Sequence, residues 1–133
     1  MAGQSEYYSY ITRFNTVKPD FVILVYDVTS TQSLESGIQM VKLFIETKTL
    51  KKNTSLILVG NKTDLLGKKI NGKIMQEPAD MEIKRNEARK IFKIAHEFTL
   101  SALLFDDSAK AFHQYLINLC IKKSSHLANC KNS

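Results

Sequence analysis

Asn61, Lys62 and Asp64 lie in the run Asn61-Lys-Thr-Asp64, directly after Ser55-Leu-Ile-Leu-Val-Gly60. Those residue types at that spacing can select a purine. A carboxylate at position 64 can accept two hydrogen bonds, from the N1–H and the 2-amino group of guanine. Adenine lacks that donor pair and would leave a buried charge unpaired, which is costly. The Asn61 amide can reach the other edge of the base, and the Lys62 stem can lie flat along it. Turns also favour these polar residues, so an ordinary strand-to-turn junction is the competing reading. The apolar strand ending in glycine is what favours base recognition.

Such a motif needs a frame. Phe21-Val-Ile-Leu-Val-Tyr-Asp-Val28 is a continuous apolar run of strand length, and it reads as a strand covered on both faces. Thr29 to Ser33 offers hydroxyls for a helix N-cap. Leu34, Ile38, Val41 and Ile45 follow at helical spacing, which predicts a helix from Gln32 to Leu50. The next strand is Ser55–Gly60. Strand, helix, strand makes a βαβ unit with parallel strands and a right-handed crossover. Leu65 to Met81 has glycines, a proline and lysines without period, and reads as a long surface loop. Ala88, Ile91, Phe92 and Ala95 predict another helix, and Glu97-Phe-Thr-Leu100 a short strand. Ala109, Phe112, Leu116 and Leu119 predict a last helix over Asp106 to Lys123, with a polar, frayed tail from Ser124. Three parallel strands with flanking helices give an α/β fold. Ligands in such sheets sit at the carboxyl ends of the strands. Asn61–Asp64 and Ser101 both fall there.

Composition narrows the choices. The chain of 133 residues, 44% apolar and 24% charged, suits one globular domain with a real core. The net charge of +6 is spread in scattered lysine and arginine pairs with no aromatic interleaving, so a solvated face is read rather than a nucleic-acid platform. Two cysteines without C-x-x-C give no disulfide framework, and three isolated histidines give no metal spacing. No apolar run has the length of a membrane helix or of a signal peptide. A cytoplasmic protein is expected.

With these residues in hand, the chain resembles the Ras superfamily of small GTPases, most closely its Rab-like branch. Ala2-Gly3-Gln4 is similar to the end of the D-T-A-G-Q switch motif. Leu24-Val-Tyr-Asp-Val-Thr29, with Gln32-Ser33-Leu34 opening the next helix, resembles the Rab-type strand. Leu58 to Leu65 resembles the guanine-specificity motif, and Thr99-Leu-Ser-Ala102 the E-T-S-A-K motif. The resemblance implies GTP or GDP as ligand and a partial P-loop NTPase (Ras-like) fold. It implies that Asn61 and Asp64 read the base and that Lys62 packs along base and ribose. Ser101 would brace the loop, and the Ala102 N–H would meet the guanine oxygen. Leu103 replaces the lysine of S-A-K. Gln4 stands where the family orients the attacking water. The loop after Asp64 is longer than the family usually has.

The departures carry equal weight. No G-x-x-x-x-G-K-[ST] occurs in the 133 residues. In the family that loop holds the phosphates and magnesium. Residues 1–123 therefore read as the C-terminal two thirds of a small GTPase domain, N-terminally truncated, with 124–133 a polar tail. On that reading the magnesium site is absent, guanine nucleotide binds weakly at best, and GTP hydrolysis is not expected. The first strand of the family would lie beside Phe21–Val28, so that strand becomes an apolar edge, and an unstable or self-associating chain is expected. Two roles stay open. One is a short form of a GTP/GDP switch in vesicle traffic or signalling, with protein effectors or regulators. The other is a non-catalytic interaction module, with a ciliary-transport Rab-like protein as a narrower case. Cys130-Lys-Asn-Ser133 resembles a prenylation box, but Lys131 and Asn132 are not aliphatic. A plain polar tail is the competing reading, and membrane attachment is expected only if Cys130 is lipidated.

Overall fold

The computed structural model describes residues 19–51 and 54–132, with side chains to residue 122. Its frame is a three-stranded parallel sheet in the order β1 (Phe21–Asp27), β2 (Ser55–Asn61), β5 (Lys93–Thr99). β1 and β2 pair in unbroken register from Phe21 opposite Ser55 to Asp27 opposite Asn61. β2 and β5 shift register between Leu56 and Ile57, which leaves Ala95 unpaired as a bulge.

One sheet face carries the larger core. Leu24, Tyr26, Leu56 and Leu58 meet Leu34, Ile38 and Val41 of α1 (Thr31–Glu46) and Met81, Ala88 and Phe92 in and beside α2 (Met81–Ile91). The Ser30 hydroxyl caps α1 by accepting the Ser33 N–H. The opposite face packs Ile57, Val59 and Leu100 against Ala109, Phe112 and Leu116 of α3 (Asp107–Asn132).

β1 is apolar on both faces, but one of them is covered only at Phe21. Val25 is 59% exposed, and Ile23 is exposed beside it. The expectation of two covered faces fails here because α3 packs over β2 and β5. Apolar composition states what a strand can bury, not what lies on it.

Four further boundaries differ from the sequence reading. α1 ends at Glu46 rather than Leu50. Lys48 takes a left-handed conformation (φ 60), and the amides of Thr49 and Leu50 fold back onto the Phe44 carbonyl. Leu50 then enters the core from the loop. Ala95 lies in β5, not in a helix, because the chain turns extended at Phe92. The long loop after Asp64 contains a hairpin, β3 (Lys69–Ile70) against β4 (Lys73–Ile74). Its turn residues Asn71 and Gly72 have φ 52 and 80, the pair a tight hairpin turn requires. Finally, α3 passes Lys123 and continues to Asn132, with no glycine or proline to stop it. No described helix is long and apolar enough to cross a membrane.

Candidate functional site

β2 delivers Asn61 to the carboxyl edge of the sheet. The chain then turns through Lys62, which is left-handed at φ 71, into a single 3-10 turn, Thr63–Leu65. Two backbone bonds tie this turn to the segment after β5. The Leu100 N–H donates to the Gly60 carbonyl at 2.8 Å, and the Thr63 N–H to the Leu100 carbonyl at 3.2 Å. Gly60 has to be small here, because a Cβ would lie 2.8 Å from the Tyr26 hydroxyl and from Val28.

The side chains follow from that frame. The buried Ser101 hydroxyl donates to Asp64 Oδ1 at 2.8 Å and accepts the Leu104 N–H at 3.1 Å. No described residue bonds Asp64 Oδ2. Asp106 holds the other end of the loop, accepting the Ser101 N–H at 3.3 Å and the Ala109 N–H at 2.9 Å. Asn61, Lys62, Asp64, Leu65 and Leu103 line one cavity of about 310 Å³. A second, mostly apolar cavity of about 330 Å³ adjoins it through Asn61, with Val25, Val59, Phe112 and Leu116 on its walls.

The five base-site candidates thus stand together: Asn61, Lys62 and Asp64 at the end of β2, Ser101 and Ala102 after β5. Ser101 bonds the Asp64 loop, as the sequence reading expects of a brace. The Ala102 N–H is already engaged, donating to Asn61 Oδ1 at 2.9 Å. A ligand oxygen that takes this N–H must displace the Asn61 amide, which then turns its own donors and acceptor toward the ligand. Leu103 is 82% exposed at the cavity mouth.

Lys62 has a partner that the sequence reading missed. Its Nζ lies 3.1 Å from Asp27 Oδ2, at the end of β1. Burial pushes the Asp27 carboxyl up, but the Thr29 hydroxyl and amide, at 2.6 and 2.8 Å, together with Lys62 outweigh it and hold the group below its ordinary value. The Asp27–Thr29 bonds have a signal in the sequence, Asp-x-Thr at a strand end, a local turn motif; the Lys62 contact has none. The Asp106 side chain was also missed as a loop clamp. The sequence places it only at the start of the last helix.

Gln4 lies outside the described residues, and so does the Cys130 side chain. Among the described residues no group of three or more His, Cys, Asp or Glu is placed to hold a metal ion.

The arrangement offers one free carboxylate oxygen, one amide side chain and one backbone N–H around a shallow cavity. That set has the hydrogen-bonding groups to meet a planar heterocycle with adjacent donors on one edge and an acceptor on the other. A family model described as the Ras family matches residues 1–119. No curated protein gives a significant match.

Proposed function

Because the chain belongs to the Ras family of small GTP-binding proteins, we propose that Asn61, Lys62, Asp64, Ser101 and Ala102 form its guanine-selecting site. Asp64 takes the N1–H and 2-amino pair. Asn61 and the Ala102 N–H take the opposite edge, and the Lys62 stem lies along the ring. The observation that carries this reading is the Ser101–Asp64 bond, which joins residues 37 apart in sequence and aims the carboxylate. The 133 residues hold no G-x-x-x-x-G-K-[ST] run, so on this proposal the base contacts carry the affinity. Each is worth about 1.5–3 kcal/mol when charge-assisted. GTP and GDP then bind weakly, magnesium adds little, and hydrolysis is not performed by this chain alone. The Tyr26-Asp-Val-Thr29 strand end supports a Rab-like place in vesicle traffic or signalling.

The test is a titration of the purified chain with fluorescent GDP and ADP, with and without magnesium. The expected result is GDP binding in the high micromolar range, no ADP binding, and at least a tenfold loss of GDP binding in Asp64→Ala. Equal binding of GDP and ADP overturns the site. Magnesium-dependent turnover of GTP above buffer overturns the base-only reading.

The bare face of β1 favours a second reading, a non-catalytic module that binds a partner chain. A chain that binds no guanine nucleotide yet elutes as a stable complex with another protein supports it.

A further inference from the structure

Two segments leave the sheet at the same end, beside the base cavity. One is the β3–β4 hairpin, held at its base by the Gly67 N–H to the Met75 carbonyl and the Met75 N–H to the Lys68 carbonyl, both 2.8 Å. The other is the turn 102–105 after β5. Leu65, two residues before the hairpin base, and Leu103 of the turn line the same cavity.

Their surface chemistry is unusual for a solvated edge. The hairpin carries Lys68, Lys69 and Lys73, all exposed. No acidic residue occurs between Asp64 and Glu77. None of the three lysines makes an ion pair with a described residue. Of the acids beside the turn, Asp64 is bonded to Ser101 and Asp106 to the amides of Ser101 and Ala109, while Asp107 is exposed. Beside this unpaired positive charge, Leu103 is 82% and Leu104 65% exposed, and Ile74 is 54% exposed on the hairpin. Consecutive bare leucines on a braced turn gain nothing from water.

We propose that this end of the sheet is a docking surface for an anionic lipid bilayer, with Leu103 and Leu104 entering the interface and the hairpin lysines meeting the headgroups. Charge complementarity selects the occupant. Three unpaired lysines match a negative surface, at about fivefold in partition per lysine. A polyanion such as RNA satisfies the lysines but gives the leucines nothing to enter. A bilayer satisfies both, because hydrocarbon lies just behind its charged layer. Ile74 and the other hairpin isoleucine share their faces with lysines, which extend to the headgroups while their stems stay apolar. The contact requires no lipid on Cys130, so the membrane partner expected only through lipidation has a second route.

The test uses the full chain and vesicles of phosphatidylcholine alone or with 30% phosphatidylserine. The sequence contains no tryptophan, so Leu104→Trp supplies a single indole, which can be excited apart from the tyrosines. The expected result is co-sedimentation with the anionic vesicles only, release by high salt, and a blue shift of the indole emission in that variant. Lys68→Ala, Lys69→Ala and Lys73→Ala together lower partition by roughly a hundredfold. Leu103→Ser with Leu104→Ser lowers it at least tenfold. All five positions are exposed, and circular dichroism is used to check that the variants keep the wild-type fold. Equal binding to neutral vesicles overturns the proposal. Sedimentation without a blue shift overturns it too. So does lysine-dependent binding to heparin with no vesicle binding, which marks a polyanion site. Base selection by Asp64 is read from the GDP and ADP titration of the wild-type chain without vesicles, so its failure is distinguishable from these outcomes.

Discussion

The Ser101 hydroxyl donates to Asp64 and accepts from Leu104, so one buried oxygen fixes two loops. Removing it leaves Asp64 free to rotate and the Leu104 N–H without its acceptor. A lost side-chain bond of this kind costs about 1–2 kcal/mol. Ser101→Ala is therefore expected to weaken guanine-nucleotide binding by about tenfold while guanine stays preferred over adenine. Titration of the variant with fluorescent GDP and ADP checks it, and a loss of preference would place selectivity elsewhere. Asn61, Asp64 and Ser101 were legible in the sequence because a short strand followed by a polar motif leaves little freedom in where the motif points. The Asp27–Lys62 pair was not legible. It joins the ends of neighbouring strands, and only strand order and register bring them together.

The β3–β4 hairpin shows how local chemistry sets an element. Asn71 and Gly72 both hold positive φ, which glycine adopts without strain and a β-branched residue does not. Open space surrounds Gly72, so a substitution there is a backbone effect alone. Gly72→Val should cost about 1–2 kcal/mol locally. Amide exchange should quicken over 66–75 while the β2 amides stay protected, and uniform loss of protection would show that the hairpin is coupled to the core. The strands, their parallel order and α1 were legible because apolar period and length agree over each. The hairpin was missed because two-residue strands show no period and Asn-Gly was weighed only as loop composition. The helical reading of Ala95 failed for a related reason. Ala88, Ile91 and Phe92 fit a helix through either residue, and the extended turn at Phe92 leaves no mark in hydropathy. Leu50 fitted the α1 stripe equally well, yet it reaches the core only after the helix has ended.

At the scale of the whole molecule, charge and the open edge of β1 decide behaviour in solution. Arg85 of α2 is buried, with Nε donating to the Tyr26 hydroxyl at 2.7 Å and further bonds to Glu77 and Glu82. Arg89 and Arg85 hold the Glu82 carboxyl below its ordinary value, and Asp27 is held low as described. Both groups bind protons less readily folded than unfolded. Their contribution is therefore present at neutral pH and lost as pH falls below about 4. The urea midpoint should be lower at pH 3 than at pH 7, and an unchanged midpoint would mean that these pairs contribute nothing. The edge acts differently. Among the described residues no strand pairs the outer side of β1, and Ile23 and Val25 stand bare on one of its faces. A seven-residue apolar strand with no described neighbour on one edge is a template for another copy. A lysine there opposes edge-to-edge pairing by charge and desolvation, and at 59% exposure the Val25 site can hold one without entering the core. Val25→Lys is thus expected to slow concentration-dependent light scattering severalfold with little change in thermal midpoint. If scattering grows as fast in the variant, association proceeds through a different surface. If the midpoint drops sharply, the Val25 side chain packs in solution against something that keeps water away.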